Sequence, residues 1–245
     1  MPGLSRLFPI TVLAVLAGQP AFAGDLVEPS LHLSTANVPA PHVALTLDAC
    51  MGQTDLRILN ALVDNSIPAT IFATALWLRR NPEAVAVMKA HPDLFEIENH
   101  GARHIPAVDS PRRIYGIASA GTPEAVKQEV EGGAAAFAQY GLPAPRWFRG
   151  ATALYSRSAI EQIRGMGFRV AGFSVNGDGG SLLGARETAR RISAAKDGDV
   201  IISHINQPTH AAGGGVVEGV LALKARGYVF IRLEDMEELG SDGTA

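Results

Sequence analysis

His42-Val43-Ala44-Leu45-Thr46-Leu47-Asp48-Ala49-Cys50 alternates apolar and other residues up to a carboxylate. Val43, Leu45 and Leu47 recur at period two, which predicts a strand that ends at Asp48. Working outward, Leu56, Leu59, Leu62 and Val63 have helical spacing, with Thr54 expected as N-cap and Asp55 in the first turn. Residues 69–73 read as a second strand, 82–90 as a helix and 94–97 as a third strand. Thr122-Pro123-Glu124 opens a further helix with a cap, a proline at its first position and an acid in its first turn. It is expected to run to Tyr140. Strands follow at 146–148, 168–175, 200–203 and 228–231, with helices at 158–166, 187–195 and 216–225 between them. Seven strands alternating with helices predict an α/β fold with a parallel sheet, either a barrel or an open doubly wound sheet.

Two stretches break this rhythm. Residues 105–121 hold Pro106, Pro111, Gly116 and Gly121 and are long for a plain connection, so a functional role is expected. Gly213-Gly214-Gly215 is expected in a loop and lacks the pattern of a phosphate-binding loop.

The 245 residues, 47% hydrophobic and 18% charged, suffice for one large domain with its own core. A net charge of −3, with Lys and Arg scattered, excludes a nucleic-acid footprint. The N-terminus reads as an export signal. Arg6 is the only charge before Asp25, residues 7–17 are mostly apolar, and Ala21-Phe22-Ala23 precedes an expected cut at Gly24. The division expected is a signal over 1–23, a lead-in segment over 24–41 rich in Pro, Ser and Ala, and a domain over 42–240. Export points to a periplasmic or secreted protein with no membrane span after cleavage. The single cysteine, Cys50, excludes an internal disulfide.

In a parallel α/β protein, chemistry gathers where strands end. Asp48 ends the first strand, Asn99 and His100 the third, Arg149 the fourth, Asn176 and Asp178 the fifth, and His204 the sixth. His100 and His104, four apart, would share a face if the turn between them were helical, and with Asp48 could hold a divalent metal. Asn206 and His210 are candidates to line a pocket. Trp77 reads as packing, as does Trp147 unless its ring stacks on a ligand.

These residues resemble the NodB-type polysaccharide deacetylases of carbohydrate esterase family 4, over about 43–233. The family's Thr-Phe-Asp-Asp-Gly segment stands here as Thr46-Leu47-Asp48-Ala49-Cys50, and its His-x-x-x-His as His100 to His104. Its Arg-Pro-Pro-Tyr-Gly-like segment is reduced to Arg149-Gly150-Ala151-Thr152. Its apolar strand ending in His is Ile201-Ile202-Ser203-His204, and Gly227-Tyr228-Val229-Phe230 is also family-like. The resemblance implies a distorted (β/α) barrel of about seven parallel strands. It implies a metal-dependent hydrolase that removes N- or O-acetyl groups from a glycan, with zinc the first choice of metal and cobalt or manganese alternatives. Asp48 would be the general base and His204 the general acid. A backbone N–H after Arg149 would help hold the oxyanion. Arg149 would keep Asp48 ionised, and Asp178 would orient Arg149 or His204.

One departure matters. The family's metal-binding second Asp aligns with Ala49, which offers no ligand atom. Asp48 itself, Asp55 or Cys50 could replace it. The ordinary readings, a helix-dipole acid at Asp55 and a small buried residue at Cys50, stand ahead of the ligand readings for those two. If nothing replaces the lost carboxylate, the alternative is a non-catalytic carbohydrate-binding protein.

Overall fold

The computed structural model describes residues 26–34 and 39–235, and the expected export signal with its cut at Gly24 lies outside the described residues. Strands β1 (His42–Ala49), β2 (Ala69–Ala73), β3 (Phe95–Asn99), β6 (Trp147–Phe148), β7 (Arg169–Val170), β8 (Val175–Asn176), β9 (Val200–His204) and β10 (Val229–Ile231) form one sheet. Its path runs β7-β6-β3-β2-β1-β9-β8, with β10 added to β1, and every pairing is parallel. Ala44 pairs with Val200 on one side and Ile231 on the other, so β10 takes the edge of β1 below β2. The sheet curls into the expected distorted barrel with helices outside.

The period of two sorts the residues of β1 between two layers. Val43, Leu45, Leu47 and Ala49 face outward into the main core, against Ile58, Leu59 and Leu62 of α1 (Leu56–Asp64) and Val216 and Val220 of α7 (Ala212–Ala225). Ala44 faces inward with Phe72, Trp147, Val200 and Ile231. Thr46 and Asp48 continue that inner row, so the strand that builds the core also delivers Asp48 to the barrel's open end.

The lead-in segment closes the barrel. Leu31 and Leu33 fill its interior, while Val27 bridges to Tyr155 and His32 to Asp199. This explains why the strand expected over 168–175 splits into β7 and β8. The segment crosses there, the Phe173 N–H donates to the Pro29 carbonyl, and a Cβ at position 172 would lie 2.3 Å from that oxygen. Only glycine admits so close an approach.

Three further expectations are corrected. Asp55, not Thr54, caps α1, because the Thr54 hydroxyl donates to Asn81 while the Asp55 carboxylate accepts the Arg57 N–H. The three glycines lie in the first turn of α7 rather than in a loop. A Cβ at 215 would come within 2.2 Å of the Ala185 carbonyl, and one at 219 within 2.6 Å of Ile192. Close contact with α6 (Ala185–Ser193) offsets a helix-propensity cost of about 1 kcal/mol per glycine. A short helix, α2 (Ala75–Arg80), follows β2 with Thr74 as its cap, and the sequence reading had no helix there. The expected helix from Thr122 to Tyr140 is present as α4 (Pro123–Gln139) between those two caps. Within 105–121, β4 (Arg113–Ile114) and β5 (Ile117–Ala118) form an antiparallel hairpin whose tip is Tyr115-Gly116.

Candidate active site at the strand ends

The inward rows of four strands meet at the open end of the barrel. Asp48 comes from β1, His100 from just past β3, Arg149 from just past β6 and His204 from β9. Asp48 and His204 sit opposite each other in the β1–β9 register. A cavity of about 540 Å³ lies over them, lined among others by Asp48, Cys50, His104, Thr152, His204 and Asn206. Tyr115, 80% exposed, stands at its rim on the hairpin tip.

Arg149 is fully buried and its donors are spent on the barrel interior. One terminal nitrogen reaches Asp48 Oδ1 at 3.0 Å and Thr46 Oγ1 at 2.8 Å, and the other donates to the Gly172 carbonyl at 2.9 Å. The guanidinium also lies 4.3 Å from the centre of the Phe72 ring. Burial raises the pKa of Asp48, but the charges of His100, Arg149 and His204 outweigh it and leave the carboxyl below its ordinary value. Asp178 pairs with His204 rather than Arg149. Its Oδ1 lies 3.0 Å from His204 Nδ1, and its Oδ2 accepts the His204 backbone N–H at 2.7 Å. Burial lowers the His204 pKa, yet the hydrogen bond to Asp178 and the neighbouring Cys50 carry it well above its ordinary value. A carboxyl whose pKa is lowered thus faces an imidazole whose pKa is raised, a split of environments of the kind acid–base work uses.

The turn carrying the two histidines is not helical. Gly101 has φ of +89° and His104 of +64°, both left-handed. Glu129, buried on α4, imposes this shape. Its Oε1 accepts the N–H groups of Arg103 and Ile105, at 2.8 and 3.1 Å, and its own carbonyl accepts that of Ala102. The sequence reading missed Glu129. The signal was present: it falls on the apolar stripe formed by Val126, Val130, Gly133 and Phe137, where a carboxylate needs buried donors.

His100 Nδ1 donates to the Arg149 carbonyl at 2.6 Å, which leaves Nε2 facing Cys50 Sγ at 3.5 Å. His104 Nδ1 is buried without a hydrogen-bond partner among the described residues. The ligand atoms of Cys50, His100 and His104 all lie within 4.8 Å of one another. That donor set fits a divalent metal. Asp55 is not brought here, since Arg57 grips its carboxylate at 2.6 Å at the start of α1. Burial pushes the Cys50 thiol up, but His100 and hydrogen bonds from His100, His104 and His204 bring it well below its ordinary value.

Other expectations resolve as follows. The N–H of Gly150, directly after Arg149, is taken by the Tyr155 hydroxyl at 2.7 Å. Two and three residues past Gly150, Thr152 and Ala153 have φ of +70° and +53° and line the cavity. Such backbone strain persists only where the surroundings hold it, here beside the reactive groups. Asn206 lines the cavity, whereas the ring of His210 turns to the Ser181 carbonyl at 2.8 Å. Trp77 and Trp147 are fully buried packing residues.

The chain's fold recurs in solved carbohydrate esterases. A deacetylase solved with substrate superposes with a TM-score of 0.65 at 20% identity, covering 84% of this chain and 95% of the other. A family 4 acetyl xylan esterase from Clostridium thermocellum, in complex with a cobalt ion, gives 0.63 at 22% identity over 80% and 90%. A family 4 pseudoenzyme from Bacillus anthracis gives 0.62 at 17% identity over 81% and 66%. No curated protein sequence matches the chain. The family model for polysaccharide deacetylase matches residues 35–171, more than half of the chain. With the strand-end site described above, this chain belongs to the polysaccharide deacetylase family.

Proposed function

We propose that this protein is a metal-dependent deacetylase that hydrolyses N- or O-acetyl groups on a glycan, and that it works outside the cytoplasm after export. The observation that carries the reading is the pairing of Asp48, hydrogen-bonded by Arg149, with His204, hydrogen-bonded by Asp178, across one cavity.

Asp48 removes a proton from water as the water attacks the acetyl carbon. The tetrahedral oxyanion is met by the backbone N–H of Thr152, a residue held in left-handed conformation beside the cavity. His204 then gives its proton to the departing nitrogen or oxygen. The C–N or C–O bond breaks, and acetate and a free amine or hydroxyl leave. His100 and His104 would hold a divalent metal through ring nitrogens, zinc first by donor type, and the metal would supply Lewis acidity towards the acetyl oxygen and the attacking water. Tyr115 offers a sugar ring an aromatic face at the cavity rim.

Acetate release from acetylated chitin oligomers, peptidoglycan, acetylxylan and exopolysaccharide, each with and without chelator, tests the reading. Release that stops on chelation supports it. Silence on every substrate, or release indifferent to the chelator, overturns it.

A further inference from the structure

We infer that Cys50 is the third protein ligand of the metal, which makes this a thiolate centre, Cys50/His100/His104, in place of the carboxylate centre of the family. The inference rests on the deacetylase reading only for the metal's purpose, not for its binding.

The strand alternation explains the substitution. Ala49 faces outward at 0% exposure, packed in the layer between the sheet and its helices, where no side chain could reach the cavity. Cys50 comes next to it, at the strand's end, and lines the cavity. Its main chain is fixed there: the Thr74 hydroxyl donates to the Cys50 carbonyl, and the Thr74 N–H to that of Ala49.

The spacing supports a shared ion. Cys50 Sγ lies 3.5 Å from His100 Nε2. Sulfur and nitrogen bound to one tetrahedral zinc, at about 2.3 and 2.05 Å, stand about 3.6 Å apart. Asp48 fits less well, because its Oδ2 lies 3.8 Å from the same nitrogen where an oxygen–nitrogen edge would be about 3.3 Å. Its Oδ1 is already committed to Arg149. The hydrogen bond from His100 Nδ1 to the Arg149 carbonyl is the outer-layer contact that fixes a ligating imidazole. One ring nitrogen of His104 lies within 4.8 Å of both Cys50 Sγ and the ligand nitrogen of His100. Asp48 is thereby left free for proton transfer, so one residue need not serve as both ligand and base. A thiolate also narrows metal choice towards zinc and cobalt and away from manganese and magnesium.

Cys50 is the only cysteine of the chain, so any sulfur signal has one source. The test loads full-length, metal-free protein with Co(II) and records its absorption. A sulfur-to-cobalt charge-transfer band is expected, absent from Cys50→Ser and Cys50→Asp. Zinc binding, measured by competition with a chromophoric chelator, should weaken at least about 100-fold in Cys50→Ala. Cys50→Asp should keep metal binding while losing zinc preference over manganese. As a check independent of any variant, zinc should protect the wild-type thiol from alkylation, read by mass. Cobalt bound without the band, no cobalt bound, unchanged zinc affinity in Cys50→Ala, or alkylation indifferent to zinc would each overturn the inference. The two readings fail separately. A thiolate band in a protein inert on every acetylated glycan removes the deacetylase and keeps the ligand. Acetate release from a protein without the band does the reverse.

Discussion

Glu98→Gln should stabilise the protein at neutral and alkaline pH, and the gain should grow with pH. Glu96 and Glu98 point from β3 into the barrel on the row that ends in His100, and both are buried. Glu98 Oε2 accepts the N–H groups of Arg146 and Trp147 at 2.9 and 2.8 Å. Glu96 Oε2 accepts the Thr70 hydroxyl at 2.6 Å and the Glu234 N–H at 3.1 Å, which leaves its Oε1 without a donor among the described residues. Burial first, and then the charge of Glu96, push Glu98 up to about 9, while burial raises Glu96 as well. The two carboxyls therefore share a proton as a coupled pair. A carboxyl whose folded pKa is raised stabilises the fold fully below its unfolded value. It loses that contribution as pH rises towards the folded one. Between the ordinary 4.5 and about pH 7.5, roughly three units at about 1.4 kcal/mol each, the loss is on the order of 4 kcal/mol. Glutamine removes it. Its Oε1 can accept the same two N–H groups, and its Nε2 can donate to Glu96 Oε1 at every pH. Urea unfolding followed by circular dichroism at about pH 5, 7.5 and 9 measures this. The variant's advantage should be small at the lowest pH and several kcal/mol above neutrality. An advantage that stays flat or shrinks with pH would refute the shared proton.

Three further outcomes are expected. Asp178→Asn should lower kcat by about 10²-fold while zinc content stays at the wild-type level; unchanged kcat would remove Asp178 from the acid pair. Glu129→Ala should free the turn that holds His104 in its left-handed conformation, weakening zinc binding by about 10- to 100-fold in a competition assay; equal affinity would show that the turn keeps its shape unaided. Tyr115→Ala should raise KM on polymeric substrate by about 3- to 10-fold with little change in kcat, the scale of one lost stacking contact; a fall in kcat alone would deny the hairpin a binding role.

The sequence showed what periodicity and capping encode. The β1 run reads as a strand because alternation there coincides with two-layer burial, and the start of α4 at Thr122 is legible because cap, proline and acid all agree. The strand-end principle then collected Asp48, His100, Arg149, Asp178 and His204 at one place, and the structure brings them together. What stayed hidden depends on contacts between distant segments. The split of 168–175 follows from Pro29 crossing Gly172, some 140 residues away in sequence. The glycine run belongs to a helix because α6 lies against it. His100 and His104 converge through Glu129 rather than through helical spacing. Glu96 and Glu98 occupy a strand interior where local rules expect apolar residues, and the donors that account for them, Thr70, Arg146, Trp147 and Glu234, come from distant segments. Cys50 read as a small buried residue because its neighbours, the two imidazoles, are fifty residues on.

The most direct test of the central claim is a titration of zinc into metal-free protein with acetate release as the readout. The account predicts no release without metal, a linear rise to one zinc per chain, and a plateau beyond it. Full release before zinc is added, or none at one equivalent on any acetylated glycan, would contradict it.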